Sequence, residues 1–131
     1  MTALADSVSD QRLLIDLQPV VERELNRHLS TAKEWFPHEL VPWSEGEDFS
    51  GPLDGREWTP DELRFSDAAR TSLIINLLTE DNLPSYHYEI ATILGRDGAW
   101  GQWVGRWTAE EGRHATAIRD YLLVTRSVDP I

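Results

Sequence analysis

The chain has no cysteine and a single methionine. Without thiols there is no disulfide, no thiolate metal site and no thiol nucleophile. Basic residues are scarce as well: 12 Lys and Arg stand against 23 Asp and Glu, a formal net charge of -11 over 131 residues. So acidic a chain lacks the basic stripe that tracks phosphates, which excludes an ordinary nucleic-acid binder, and an anionic membrane surface would repel it. No apolar run approaches the roughly 18 residues of a membrane span. The opening MTALADSVSD has neither the basic start nor the apolar stretch of a signal peptide, so a cytoplasmic protein is expected. Strand-like alternation, internal repeats and low-complexity tracts are missing too. What remains is 40% hydrophobic with six tryptophans, too apolar and aromatic for a disordered acidic tail. At this length a single domain over residues 1–131 is expected.

Apolar residues recur at threes and fours, and the pattern predicts an all-α protein of three helices around one long irregular stretch. The first helix is expected to start at Ser9 or Asp10, either of which can cap it. Its stripe is Leu13, Leu14, Leu17, Val20, Val21, Leu25 and Leu29. Pro19 either kinks this helix or divides it in two. From Trp35 to Pro60 the period dissolves among prolines, glycines and the tryptophans Trp35, Trp43 and Trp58. A loop this long in a small domain is uncommon, and its tryptophans predict that it packs onto helices. The second helix is predicted from a Ser66 cap, with Asp67 in its first turn. Ala69, Leu73, Ile74 and Leu77 form its stripe, continued by Tyr88, Ile90 and Ile93 beyond Pro84, where a kink or break is expected. Gly95 and Gly98 close it. The third and longest helix is predicted over Ala99–Arg126, with Trp103, Trp107, Glu111, His114, Ile118 and Leu122 along one face.

Glu111 and His114 form the only Glu-x-x-His pair. With 12 glutamates and 4 histidines, about 0.4 such pairs arise by chance, so the spacing alone is weak. The face strengthens it, because residues three apart on a helix point the same way and both lie on the stripe that should be core. An unpaired carboxylate and imidazole there would cost several kcal/mol. A metal ion satisfies them, and Glu-x-x-His projecting into a bundle is the ligand pattern of di-metal carboxylate proteins. A Glu–His hydrogen bond at the core's edge, or a helix turned to solvent, are the plainer alternatives. Glu80 falls on the inner side of the second helix, three residues after Leu77, and would supply a third ligand. Asp81, about 100° round the helix, is expected to meet water. Glu110 and Arg113 fall off the stripe and read as a solvated face. His28 and His38 lack a carboxylate at ligand spacing on an inner face, and His87 reads as a partly buried histidine. No Gly-x-Ser-x-Gly elbow and no phosphate-binding glycine fingerprint is present.

The run Thr79-Glu80-Asp81-Asn82-Leu83-Pro84-Ser85-Tyr86, followed by Trp107-Thr108-Ala109-Glu110-Glu111-Gly112-Arg113-His114, resembles the soluble acyl-acyl-carrier-protein desaturases. Leu17-Gln18-Pro19-Val20-Val21-Glu22, Trp35-Phe36-Pro37-His38 and the tail from Tyr121 to Pro130 are similar to the actinobacterial branch of that family, so the resemblance covers nearly the whole chain. It implies the N-terminal half of a ferritin-like helical bundle: one kinked N-terminal helix, a long loop and two long helices. It also implies a di-iron centre that uses O₂ and a ferredoxin-type electron donor to place a double bond in the acyl chain of an acyl carrier protein thioester. Residue by residue, Glu80 resembles the terminal carboxylate on one iron, Glu111 the bridging carboxylate and His114 that iron's histidine. Trp35 matches an aromatic residue behind this histidine on an electron route, or is an ordinary packing tryptophan.

The departure from the family is large. A complete site draws four carboxylates and two histidines from four helices, and this chain carries one carboxylate and one Glu-x-x-His. It is expected to be the N-terminal half alone, by truncation, gene splitting or design. A homodimer or a partner chain would then complete the apolar core, and two copies would supply the ligand set twice. The other expectation is a non-catalytic binding protein that pairs with a desaturase or a carrier protein, with Arg12, Arg23, Arg27, Arg64 and Arg70 as its candidate docking patch.

Overall fold

A computed structural model describes residues 2–62 and 64–130, with side chains from Ser9 onward. Four helices carry the architecture: α1 (Thr2–Thr31), α2 (Asp67–Glu80), α3 (Leu83–Leu94) and α4 (Gly98–Val124). Among the described residues the only strand-like feature is an isolated bridge between Phe49 and Arg56, so the protein is all-α as expected. Among the described residues no helix is long and apolar enough to cross a membrane. By its contacts the chain sorts into two compact units: the segment up to Glu34 with Pro84–Ala109, and Trp35–Leu83 with the segment from Glu110 onward.

The first unit holds α1, most of α3 and the opening turns of α4. Helix α1 starts well before the expected caps at Ser9 and Asp10, because no glycine or proline interrupts the chain between Thr2 and Gln18. It runs through Pro19 as one helix, not two. Its stripe is only partly used: Leu25 is buried, Leu14 and Val21 are half-buried, and Leu13, Leu17, Val20 and Leu29 are exposed. Small residues, Ala91 and Ala99, join Leu25 and Val104 in the core of this unit. The Trp100 indole N–H donates to the Leu14 carbonyl at 2.9 Å. Gly98 opens α4 at φ +63°, a left-handed conformation that favours glycine. Thr108 donates its hydroxyl to the Val104 carbonyl, so it accepts from His87 Nδ1 at 2.8 Å. That bond explains the half-buried His87 without a metal.

In the second unit α2 begins as its sequence predicts. Ser66 Oγ accepts the Ala69 N–H at 3.3 Å, and Asp67 sits in the first turn. The expected second helix is in fact two. Helix α2 stops at Glu80, and Pro84 lies in the first turn of α3, where a missing N–H costs no hydrogen bond. The long stretch after Trp35 is ordered by three short 3₁₀ turns, Pro37–Glu39, Trp43–Glu45 and Pro60–Glu62.

What fastens this loop is Arg126. Its N–H meets the Leu123 carbonyl and the N–H of Ser127 meets that of Leu122, a helix-ending motif in which Arg126 takes the left-handed position, φ +53°, usually given to glycine. The side chain, 5% exposed, donates to the carbonyls of Asp48 at 3.1 Å, Arg56 at 3.0 Å and Glu57 at 3.2 Å. It pairs with the Glu62 carboxylate and lies 4.2 Å over the Phe49 ring. Trp58 closes the circuit by donating its indole N–H to the Arg126 carbonyl at 2.9 Å.

Candidate metal centre

Glu80 is the last residue of α2, while Glu111 and His114 stand three apart on the later turns of α4. One donor atom from each of the three lies within 4.8 Å of the others. His114 Nδ1 is 2.9 Å from Glu111 Oε2 and 3.7 Å from Glu80 Oε2. Two donors on one metal stand about 3 to 4.2 Å apart at bond lengths near 2.1 Å, so small side-chain rotations close the set around an ion. Two carboxylate oxygens and one imidazole nitrogen suit a divalent first-row metal such as iron. The side chains are 28%, 29% and 44% exposed respectively, open enough for further ligands to enter. A Glu111–His114 hydrogen bond explains two of these residues; it leaves the arrival of Glu80 from another helix unexplained.

The neighbours hold this geometry. Asp81, which follows Glu80, turns away and pairs with Arg119 on α4, tying the end of α2 beside the turn that carries His114. The Trp35 ring stacks on the His114 imidazole with centroids 6.0 Å apart and planes 9° apart. Arg113 corrects the sequence reading. It is half-buried, not part of a solvated face: its Nη1 donates to the Trp35 carbonyl at 3.0 Å, and its guanidinium lies over Trp35 and Phe36. Glu110 is half-buried as well. Periodicity missed Arg113 because its partners sit in the irregular loop, whose path no helical pattern reveals. His38 stacks on Phe36 at 5.7 Å, and neither it nor His28 joins the cluster.

A helical fold that brings a Glu on α2 beside a Glu-x-x-His on α4 has the pattern of the ferritin-like carboxylate–histidine proteins. The comparisons with known proteins agree. The family model described as fatty acid desaturase matches residues 9–131, and the chain belongs to that family. Over 128 residues it is 57% identical to a Mycobacterium tuberculosis protein named as an acyl-[acyl-carrier-protein] desaturase, DesA1, covering 98% of this chain and 38% of DesA1. A second protein of that organism, named as the desaturase DesA2, is 44% identical over 119 residues, covering 91% of this chain and 43% of DesA2. The X-ray structure of DesA2 aligns with a TM-score of 0.76 at 41% identity, over 91% of this chain and 43% of that one. The chain thus spans about two fifths of the length of these relatives.

Proposed function

We propose that this chain carries one iron's share of the metal site of an acyl-[acyl-carrier-protein] desaturase, as part of a single ferritin-like domain. The observation that carries the reading is the arrival of Glu80 from α2 beside Glu111 and His114 on α4. When bound, the di-iron centre would supply the oxidising power that O₂ provides for removing two hydrogens from an acyl chain. This chain's residues would hold the metal, Glu80 and Glu111 through carboxylate oxygens and His114 through its imidazole nitrogen, with Trp35 as the aromatic wall behind the histidine. A full site has a Glu from each of two helices and a Glu-x-x-His from each of two others, and this chain supplies one of each. The acyl carrier protein thioester is the substrate of this reading, in line with the names of the relatives, and a ferredoxin-type donor is the reductant that the family resemblance implies.

Residues beyond these 131 or a partner chain would supply the other half of such a site, and two copies about a two-fold axis would supply Glu80, Glu111 and His114 twice. The exposed apolar side chains Ile75 and Leu78 on α2 and Leu13 and Leu17 on α1 are the sort of surface that a partner covers. Most of the arginines that would favour a purely docking role have a carboxylate neighbour on their own element or nearby, although Arg70 Nε has no hydrogen-bond partner among the described residues. Arg12 pairs with Asp16, Arg23 and Arg27 share Glu24, Arg64 pairs with Glu45, and Arg70 lies 3.9 Å from Asp67.

Light scattering with anaerobic Fe(II), together with a turnover assay using ferredoxin, reductant and an acyl carrier protein thioester, tests this reading. The expected result is no desaturation by a monomer, and a dimer whose iron content falls on Glu111→Ala. A monomer of about 15 kDa unchanged by Fe(II) and by that substitution would end the shared-site proposal. Desaturation by a strictly monomeric sample would contradict the half-site.

A further inference from the structure

We infer that Arg113 is a positioning residue for His114, acting through Trp35. Arg113 precedes His114 on α4, and neighbours on a helix point about 100° apart, so its guanidinium faces away from the donor cluster. It grips the chain behind the histidine instead. Its Nη1 donates to the Trp35 carbonyl at 3.0 Å. That carbonyl and the Phe36 N–H belong to one peptide group, and the Phe36 N–H is held by Glu39 Oε2 at 2.9 Å. The peptide is therefore clamped at both ends, by a cation from α4 on its oxygen and by a carboxylate from the Pro37–Glu39 turn on its hydrogen. The guanidinium also lies 6.0 Å from the Trp35 ring centroid and 5.7 Å from that of Phe36, which fixes the side chains on either side of that peptide.

The consequence falls on the imidazole. Trp35 belongs to no helix, so the direction of its ring depends on how its peptide is held. The clamp sets the indole nearly parallel to His114, 9° between planes. With one face covered, the imidazole keeps its Nδ1 edge toward Glu111 and Glu80. Groups that orient a metal-binding histidine in this way typically change metal affinity about 10- to 100-fold when removed. The inference deepens the metal reading and rests on it for its effect on affinity, but the Arg113–Trp35–His114 arrangement is a statement about the metal-free chain.

Two readouts test it, in wild type, Arg113→Gln, Arg113→Lys, Trp35→Phe and the Arg113→Gln/Trp35→Phe double variant. The first is the NMR spectrum of the metal-free protein, with His114 ring protons assigned by their loss in His114→Gln. In wild type these protons sit upfield of their position in Trp35→Phe, under the indole ring current. Arg113→Gln loses that displacement, while Arg113→Lys, which still offers a donor to the Trp35 carbonyl, keeps most of it. The second is Co(II) affinity, expected to weaken about 10-fold in Arg113→Gln and by no further factor when Trp35→Phe is already present, because both changes remove one device. An unchanged ring-current shift in Arg113→Gln, or Co(II) losses that multiply in the double variant, would overturn the inference. Wild type that binds no Co(II) but shows the expected shifts would defeat the metal reading and leave the role of Arg113 standing.

Discussion

Two charged clusters sit on the same helix, one at the Glu111–His114 turn of α4 and one just past its end at Arg126, and they are built on opposite plans. Arg126 is a buried cation given everything it needs: one carboxylate, three backbone carbonyls and an aromatic face. The Glu80–Glu111–His114 cluster gathers two anions, and among the described residues their only ion-pair partner is the imidazole between them. The two nearest guanidinium groups along α4 are committed elsewhere, Arg113 to Trp35 and Arg119 to Asp81. A charge cluster that serves the fold is compensated from within the chain. The convergence of donors without an internal cation is what the proposed metal site rests on.

If the contrast holds, substitutions at the middle of α4 and just past its end fall into separate classes. The largest effect is expected at Arg126. Arg126→Met removes the buried cation around which the Glu62 carboxylate, the loop carbonyls and the Phe49 ring gather, and should lower the melting temperature by roughly 10 °C or more in a thermal scan. Co(II) affinity at temperatures where it stays folded should change by less than about threefold. Glu111→Ala should do the reverse. Loss of a ligand weakens Co(II) binding by about 100-fold or more in a titration, while the metal-free melting temperature stays level or rises, because alanine favours the helix and one of two facing anions is gone.

Acid sharpens the comparison from another side. The Arg126 hydrogen bond, helped by the Thr59 N–H and by Arg56, holds the Glu62 carboxyl down to about 2, below its ordinary 4.5. A depressed carboxyl adds stability that is complete above its unfolded value and is lost as the pH falls through the folded one. Melting temperature should therefore drop between about pH 4.5 and pH 2, and Glu62→Gln should flatten that segment of the profile. The smallest effect is expected at the far end of the helix that delivers Glu80. Ser66→Ala removes a cap worth about 1 kcal/mol and should shift the melting curve by a few degrees, with Co(II) affinity unaltered.

Local signals in the sequence were read well where a single residue decides. The Ser66 cap, the break near Pro84 and the shared face of Glu111 and His114 needed only helical spacing, but that face is half-buried and not core, with Leu122 alone of its stripe buried. The start of α1 was misplaced because Ser9 and Asp10 are good caps that a helix also tolerates inside. The long loop could be foreseen as packed but not traced, since its anchor is a residue some 70 positions away: Arg126 bonds the Arg56 carbonyl across a separation of 70. Arg113 was assigned to solvent for the same reason, as its partner Trp35 lies 78 positions earlier. The Glu80 contact with His114 emerged because helices α2 and α4 could each be phased on their own; contacts from helix to irregular chain could not.

Glu80, Glu111 and His114 are proposed to form one metal half-site together. A Co(II) titration of wild type and of Glu80→Ala, followed by visible absorption and checked by metal analysis after gel filtration, tests it most directly. The account predicts one Co(II) per chain in wild type, with a cobalt spectrum that is lost or greatly weakened in Glu80→Ala, the ligand that only the fold brings to the other two. Wild type without bound Co(II), or Glu80→Ala with the same stoichiometry, spectrum and affinity, would contradict it.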